Sequence, residues 1–225
     1  MRTLAISDIH GELELFNKLL EKVNYKPKED QLILLGDYID RGPDSAGVLE
    51  KVRELKAQGA LVLRGNHDQM MLDAYHQKAG AWERWIRNGG RETLKSYGIK
   101  NDRFPETKQF ADHIAFIEAL DDYYETDNYI FVHAGLDPNK AVEETDRHTL
   151  IWIRDKFHNN YEDDKTVIFG HTVTPHLHQE KGNFKIYYGP NKIIGIDGAA
   201  TYGGQLNCLD ITNGIEYEVK QSEKS

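Results

Sequence analysis

The chain alternates short apolar runs with polar clusters. Five apolar, β-branched runs predict buried strands at residues 4–6, 32–35, 61–63, 129–132 and 166–169. Between the first three runs, apolar residues recur at helical spacing over 12–23, and a second helix is predicted from Pro43 in its first turn to about Gln58, before Gly59. The first seventy residues therefore predict a βαβαβ unit with a parallel sheet.

The rest of the chain divides into a helical and a strand-rich part. Residues 69–120 have helical spacing, interrupted by the paired glycines Gly89 and Gly90, and are predicted to form a cap over one side of a site. A helix is predicted at 149–157. Strands at 184–188, 192–196, 205–211 and 214–219 predict an antiparallel sheet, and 220–225 a frayed tail. We expect one domain over residues 1–219.

Composition narrows the class of protein. The 225 residues include 28 basic and 37 acidic side chains, and the net charge of -9 opposes non-specific binding to nucleic acid or to an anionic membrane. The single cysteine, Cys208, excludes an intramolecular disulfide. No run approaches the ~18 apolar residues of a membrane span, and no apolar signal segment precedes Asp8. The sequence therefore predicts a cytoplasmic protein without membrane contact.

Each of the five apolar runs is followed directly by a polar cluster. The clusters are Asp8-Ile9-His10-Gly11, Gly36-Asp37-Tyr38-Ile39-Asp40-Arg41-Gly42, Gly65-Asn66-His67-Asp68, His133-Ala134-Gly135 and Gly170-His171-Thr172. Ligands of open α/β sheets gather where such strands end. Asp, Asn and His donors suit Mn, Fe, Zn or Mg, whereas the thiolates that select softer metals are absent from the clusters. The pattern indicates metal-assisted hydrolysis.

In this order the five clusters resemble the PPP-type, calcineurin-like metallophosphoesterases, which include serine/threonine protein phosphatases and bacterial diadenosine tetraphosphatases. The family pattern is GDxHG, GDxxDRG, GNHE, HxG and GHT. Three departures leave the proposed ligands intact: Ser7 replaces a glycine, Asp68 replaces a glutamate, and residues 196–200 replace a frequent Thr-Gly pair. The resemblance covers the chain from Thr3 to about Asp210.

The resemblance implies a four-layer αββα sandwich with two central β-sheets and a centre of two divalent metal ions, taken as Mn²⁺ with Fe, Zn or Mg as alternatives. It also implies a ligand set: Asp8 and His10 for the first ion, Asn66, His133 and His171 for the second, and Asp37 as the bridge. Two ions about 3.5–4 Å apart can activate a bridging hydroxide for attack on phosphorus.

Four residues beside these ligands are candidates for the chemistry. His67 is predicted to protonate the leaving group, with Asp40 accepting its other ring hydrogen; alternatively, Asp40 caps the next helix. Arg41, together with Asn66, is predicted to bind the substrate phosphate, since the planar guanidinium can hold two phosphate oxygens. The resemblance implies Arg154 as the second phosphate-binding arginine, and an ordinary helix-surface arginine fits that position equally well.

These residues favour hydrolysis of phosphate monoesters, with phosphoserine and phosphothreonine in proteins as the expected substrates. The alternative is a bis(5'-nucleosyl)-tetraphosphatase acting on diadenosine tetraphosphate. A non-catalytic scaffold is disfavoured because every proposed ligand is present, and a nucleic-acid phosphodiesterase is disfavoured by the net charge. The remaining histidines, including His113, are predicted to lie on the surface, with His176 and His178 on a strand.

Overall fold

The computed structural model describes residues 1–101 and 103–223, which build two five-stranded sheets. The first sheet contains β1 (Arg2–Ile6), β2 (Asp30–Leu34), β3 (Leu61–Val62), β9 (Gln205–Asp210) and β10 (Ile215–Lys220), in the order β10-β9-β1-β2-β3. The second contains β4 (Tyr123–Glu125), β5 (Tyr129–Val132), β6 (Thr166–Phe169), β7 (Tyr187–Tyr188) and β8 (Ile193–Gly195), in the order β4-β5-β6-β8-β7.

Parallel pairing forms the centre of each sheet. Strand β2 pairs in parallel with β1 and β3, which confirms the predicted βαβαβ unit. In the second sheet β6 lies parallel to both β5 and β8. The prediction of one C-terminal antiparallel sheet is wrong, because β7 and β8 join the second sheet whereas the β9–β10 hairpin joins the first. Alternating apolar residues indicate a strand but do not specify its partner.

Nine α-helices are assigned within the described ranges. They are α1 (Leu13–Lys22), α2 (Ser45–Ala57), α3 (Asn66–Tyr75), α4 (Ala81–Trp85), α5 (Arg91–Ser96), α6 (Lys108–Glu118), α7 (Arg147–Trp152), α8 (Asp155–Asn160) and α9 (Thr174–Leu177). A π-helical turn at Ile86–Gly90 joins α4 to α5. None of these helices combines the length and apolar character needed to cross a membrane.

Three apolar cores hold the helices and the two sheets together as layers. The central core joins the facing sides of the two sheets, with Ala5 and Ile33 on one side and Phe131 and Ile168 on the other. A larger core packs helices against the outer side of the first sheet, and a third core does so for the second sheet. Burial of both faces of each sheet confirms the four-layer αββα sandwich and accounts for the continuous apolar runs.

The apolar side of the insertion at 69–120 packs into the fold. Its apolar side chains, including Met71, Trp85 and Ile117, belong to the core that also covers the first sheet. Asn88 of the π-helical turn lines the cavity, and Trp85 and Thr93 bond to Asp40, so the role of the segment as a cap over one side of the site stays a prediction. Helical periodicity shows which face is apolar but not what that face covers.

Several boundaries also differ from the expectation. The helix predicted at 149–157 is two helices, α7 and α8, separated at Ile153 and Arg154. Pro43 precedes α2 rather than lying in its first turn, and the side chain of Asp44 caps the helix by accepting from the Gly47 amide (2.8 Å).

Part of the predicted tail at 220–225 is assigned secondary structure. Lys220 ends β10, and a 3₁₀ turn covers Gln221–Glu223. The last two residues of that prediction, Lys224 and Ser225, lie outside the described residues.

Two predictions about histidines fail. His176 lies on α9 rather than on a strand. His113 is fully buried between helices, where its Nδ1 contacts the Tyr97 hydroxyl and its Nε2 contacts Glu50 Oε2 at 2.9 Å.

Candidate metal centre

The polar clusters that follow β1, β2, β3, β5 and β6 converge on one cavity of about 300 Å³. All the predicted ligands except His133 line it, together with His67, Arg41 and Arg154. His133 and Asp40 lie behind this layer, and both are fully buried. The two sheets therefore bring together side chains that are separated by up to 163 positions, as in the contact of Asp8 with the His171 amide.

The strand ends turn sharply into this cavity. Eleven described residues other than glycine have a left-handed backbone, and six of them are predicted site residues: Asp8, His10, Asp37, Asp40, Arg41 and His171, with φ between 46° and 72°. Such a conformation costs about 1–3 kcal/mol and is concentrated at functional sites. The fold thus accepts local strain in order to turn these side chains toward one another.

Glycines in the predicted motifs allow the close approach of these turns. A Cβ atom on Gly65 would clash with the Asp37 carboxylate, and one on Gly170 would clash with Asp8 Oδ2 and Ser7 Oγ. Only glycine fits at positions where backbone meets a side chain so closely. The glycines of these two motifs therefore hold Asp37 and Asp8 against the neighbouring strand ends.

Asp37 occupies the middle of the cluster. Its Oδ2 lies 3.5 Å from His10 Nε2 and 3.5 Å from His133 Nε2. Its Oδ1 accepts a hydrogen bond from the His67 amide at 2.8 Å, which fixes the carboxylate. One oxygen thus lies equidistant from a histidine of each predicted metal position, the geometry a bridging ligand requires.

Backbone carbonyls orient both of these histidines. His10 Nδ1 contacts the Ile39 carbonyl at 2.7 Å, and His133 Nδ1 contacts the Leu35 carbonyl at 2.8 Å. A ring whose Nδ1–H is held by a carbonyl presents Nε2 as the ligand atom, which is the usual arrangement of metal-binding histidines.

Two groups of ligand atoms lie close enough to share an ion. Ligand atoms of His10, Asp37 and His67 lie within 4.8 Å of one another, and so do those of Asp37, His133 and His171. The first group contains His67 where the resemblance implies Asp8. Asp8 instead accepts hydrogen bonds from the His171 amide (3.0 Å) and the Ser7 hydroxyl, and it lines the same cavity.

The donor set fits divalent cations. His171 Nε2 is buried and has no hydrogen-bond partner among the described residues, as expected of an atom kept for a ligand. Asn66 Oδ1 lies 2.9 Å from His133 Nε2, so an amide oxygen and a ring nitrogen converge there. Oxygen and imidazole donors in this mixture suit Mn, Fe, Zn or Mg.

The pKa shifts of the ligand candidates also favour a bound cation. Burial, followed by repulsion from Asp197, raises the pKa of Asp8, and burial followed by repulsion from Asp68 raises the pKa of Asp37. Burial is also the main cause that lowers the pKa values of His10 and His171. A cation among these groups would favour ionised carboxylates and neutral imidazoles, the forms that bind metal.

His67 and Asp40 form a buried pair beside the cluster. His67 Nδ1 lies 2.7 Å from Asp40 Oδ2, while Asp40 Oδ1 accepts from Trp85 Nε1 (2.9 Å) and Thr93 Oγ1 (2.7 Å). Burial lowers the pKa of His67 and raises that of Asp40 to about 8, so the pair together retains one proton at neutral pH. Asp40 therefore contacts His67, and the alternative that it caps α2 is wrong because Asp44 does so.

The two arginines approach the cavity from different elements. Arg41 Nη1 lies 2.6 Å from His10 Nε2, and its guanidinium carbon is 5.2 Å from the centre of the Tyr202 ring. Arg154 lies in the break between α7 and α8, where Nη1 donates to the His171 carbonyl and to Thr172 Oγ1, each at 3.0 Å. Arg154 is therefore directed to the cavity, not an ordinary helix-surface residue.

Eight lining residues were not among the predicted site residues: Asn88, Trp152, Val173, Asp197, Ala199, Ala200, Thr201 and Tyr202. Asp197 is 5% exposed and Tyr202 is 63% exposed, so one contributes charge at depth and the other an aromatic ring at the mouth. No local pattern distinguishes them from turn or core residues. The nearest signal was the departure from the family pattern at 196–200, which marks the loop leading to Tyr202.

Comparisons with known proteins agree with this geometry. The chain is 30% identical over 223 residues to serine/threonine-protein phosphatase 1 of Salmonella typhimurium, covering 92% of this chain and 90% of that one. It is 32% identical over 145 residues to the symmetrical bis(5'-nucleosyl)-tetraphosphatase of Nitrosospira multiformis, covering 64% of this chain and 47% of the relative.

A solved structure that has been assigned as a diadenosine tetraphosphatase aligns with 99% of this chain and 95% of its own, with a TM-score of 0.74 and 22% identity. At that identity the likeness concerns the fold. The model of the calcineurin-like phosphoesterase family matches residues 1–211, and the chain belongs to that family.

Proposed function

We propose that this metal-dependent phosphoric ester hydrolase removes phosphate from phosphoserine and phosphothreonine residues of proteins. The observation that carries the reaction type is the position of Asp37 Oδ2, equidistant at 3.5 Å from His10 Nε2 and His133 Nε2. This position supports two adjacent cations joined by one carboxylate.

The ligands we assign are those implied by the family resemblance. Asp8 and His10 would hold one ion, Asn66, His133 and His171 the other, and Asp37 both. Two bound divalent ions would supply an activated hydroxide and neutralise charge on the phosphoryl group. Mn²⁺ is the proposed metal, with Fe, Zn or Mg as alternatives, since the carboxylate, amide and imidazole donors suit all four.

The chain's own groups would hold the substrate and supply a proton. Arg41 and Arg154 would bind two faces of the phosphoryl group, and the Asn66 amide would contact one of its oxygens. His67 would donate a proton from Nε2 to the leaving oxygen, since Nδ1 is held by Asp40. Trp85 and Thr93 would keep Asp40 in place through its other oxygen.

The extent of the likeness supports phosphoproteins as substrates. The aligned region includes 90% of the Salmonella serine/threonine phosphatase but only 47% of the Nitrosospira tetraphosphatase. Diadenosine tetraphosphate is the second candidate, favoured by the exposed ring of Tyr202 at the cavity mouth, where a base could stack.

The location of the protein in the cell and the class of its binding partner are also proposals. A cytoplasmic location is consistent with the buried Cys208 as the single cysteine of the sequence. The net charge of -9 supports a phosphorylated protein or a small phosphate compound as partner rather than a nucleic acid.

A comparison of three substrates tests the proposal. The kcat/KM of Mn²⁺-loaded enzyme would be measured on a phosphothreonine peptide, on diadenosine tetraphosphate and on p-nitrophenyl phosphate. We expect the phosphopeptide to exceed diadenosine tetraphosphate. A larger kcat/KM for diadenosine tetraphosphate, with a phosphopeptide no better than the aryl phosphate, would replace the proposal with the second candidate.

A further inference from the structure

A second groove adjoins the metal cavity. It has a volume of about 210 Å³ and shares the lining residues Asn66 and Trp152 with the first cavity, so the two are adjacent. One side consists of α3 with the loop and helix that follow it, and the other side is α7. The charged and aromatic residues that line it are Asp73, Lys78, Arg84, Arg147, His148 and Trp152.

Positive charge exceeds negative charge in this groove, in contrast to the chain as a whole. Lys78 Nζ and Arg84 Nη2 both pair with the one carboxylate of Asp73, at 2.8 and 2.9 Å. Arg147 directs only its Nε at Asp122, and among the described residues its two terminal amino groups have no hydrogen-bond partner. Three cations thus line the groove against two paired carboxylates, Asp73 in the groove and Asp122 beside it, which leaves an excess of one positive charge in a chain whose net charge is -9.

The length of α3 sets the distance from the metal cavity to Asp73, the carboxylate that pairs with Lys78 and Arg84. Asn66 begins α3 and Asp73 follows seven residues later, which at 1.5 Å per residue is about 10 Å along the helix. On α7, Trp152 lies at the cavity and Arg147 lies at the opposite end. Between these ends the lining is neutral, formed by Gln69, Met70 and Ile151.

We propose that this groove binds an acidic side chain of the phosphoprotein substrate, about three residues from the phosphorylated residue. The proposal rests on the proposed function, since it assigns a preference to the same site. An extended peptide advances about 3.3 Å per residue, so its third residue reaches about 10 Å from the phosphoryl group. A carboxylate there can accept two hydrogen bonds from the free end of the Arg147 guanidinium.

The neutral middle of the groove favours a peptide over a polyphosphate chain. A polyphosphate carries charge along its whole length and would lie over Met70 and Ile151, both buried apolar residues. A peptide places backbone and neutral side chains there and brings its charge only to the far end. The two adjoining cavities therefore fit a ligand whose phosphate and carboxylate are separated by a neutral stretch.

The test compares pairs of phosphothreonine peptides whose two members differ only by Asp or Asn at one position. In one pair this position lies three residues before the phosphothreonine, and in the other pair it lies three residues after it. We expect the Asp peptide of one pair to have a kcat/KM about 1.4- to 5-fold higher, the fold-change that corresponds to one exposed ion pair of about 0.2–1 kcal/mol. The ratio of the two kcat/KM values does not depend on the fraction of the enzyme that is active. Because the cations are exposed, the ratio should shrink at about 1 M salt, where the Debye length is about 3 Å.

Arg84→Gln and Arg147→Gln should each lower this ratio toward 1. The matched control is Lys108→Gln, which also removes an exposed, ion-paired cation from a helix but does not line the groove, and it should keep the wild-type ratio. Thermal unfolding of each variant shows whether the fold is retained.

Three outcomes overturn the inference. Equal kcat/KM for both members of every pair in the wild type removes the preference, whereas a ratio that survives both arginine substitutions places it outside the groove. Loss of diadenosine tetraphosphate hydrolysis in the arginine variants, with the peptide ratio unchanged, assigns the groove to a polyphosphate. If no phosphopeptide is hydrolysed although p-nitrophenyl phosphate is, the proposed function itself fails, which is distinguishable from failure of the groove alone.

Discussion

Replacement of Asp37 by Asn should abolish binding of both metal ions. The side chain is 2% exposed, and its Oδ1 accepts the His67 amide hydrogen at 2.8 Å, a bond that the amide oxygen of Asn can keep. At the position of Oδ2, however, an NH₂ group would face the Nε2 atoms of His10 and His133, each 3.5 Å away. The substitution therefore preserves the shape of the site and removes the shared anionic ligand.

The size of the effect follows from the role of that oxygen. Loss of a group that only orients a metal ligand typically weakens metal binding by about 10- to 100-fold. Loss of a charged ligand should exceed this for each ion, which gives at least ~100-fold, or about 2.7 kcal/mol per ion. Because both ions depend on Asp37, the loss should affect two equivalents of metal.

Metal content and turnover measure this directly. After dialysis against buffered Mn²⁺, Asp37→Asn should retain almost no metal and less than about one thousandth of the wild-type kcat. His10→Asn is the matched control, since it removes a predicted ligand of one ion and should leave about one equivalent bound. Two bound ions and near-normal turnover in Asp37→Asn would show that Asp37 is not the bridge.

Three further predictions concern the proton, the phosphate and the pH. His67→Asn should lower kcat by ~10²–10⁴-fold on alkyl phosphates with unchanged metal content, and an equal loss on p-nitrophenyl phosphate would contradict its role as the acid. Substitution of Arg41 or Arg154 by Ala should lower kcat/KM for every phosphate substrate, Lys should not restore it, and selective loss on diadenosine tetraphosphate with Arg154→Ala would assign that residue to a distal phosphate. For Asp40, whose pKa is raised by burial from 3.8 to about 8, the folded protein keeps a proton that the unfolded chain has lost. Urea unfolding of the metal-free protein should therefore show stability falling as the pH rises from about 7.5 to about 8.5, and Asp40→Asn should reduce that slope, to which Asp8 and Asp37 contribute with the same sign.

The pH range is chosen because the buried histidines change the stability in the direction opposite to Asp40. The pKa values of the buried histidines, including His10 and His171, are lowered by burial, so below their ordinary pKa of 6.5 they make the folded state more stable as the pH rises. That contribution is nearly complete only about one pH unit higher, at about 7.5. The fall assigned to Asp40 is therefore visible above this value, and a flat profile between about pH 7.5 and 8.5 would contradict it.

The sequence predicted the strand ends and the positions of the ligands because both depend on local patterns. An apolar run long enough for a buried strand, followed by Asp, Asn or His and a glycine, specifies a turn at the edge of a parallel sheet. Asp8, Asp37 and His171 accordingly lie together, each with a left-handed backbone. Their roles as metal ligands stay predictions.

What the sequence did not predict depends on contacts between distant residues. Apolar spacing continues from Leu150 to Phe157 as in one helix, yet the chain breaks at Arg154, whose side chain bonds to the carbonyl of His171. His113 stands beside charged residues in the sequence but is enclosed by Tyr97, which follows α5, and by Glu50 of α2. Partners of this kind cannot be inferred from periodicity alone.

Anomalous diffraction from crystals soaked with Mn²⁺ would test the central claim most directly. The account predicts two manganese peaks, one on the His10 side and one on the His133 side of Asp37 Oδ2, separated by about 3.5–4 Å. A single peak, or two peaks that do not share Asp37, would contradict a carboxylate-bridged pair of ions at the strand ends.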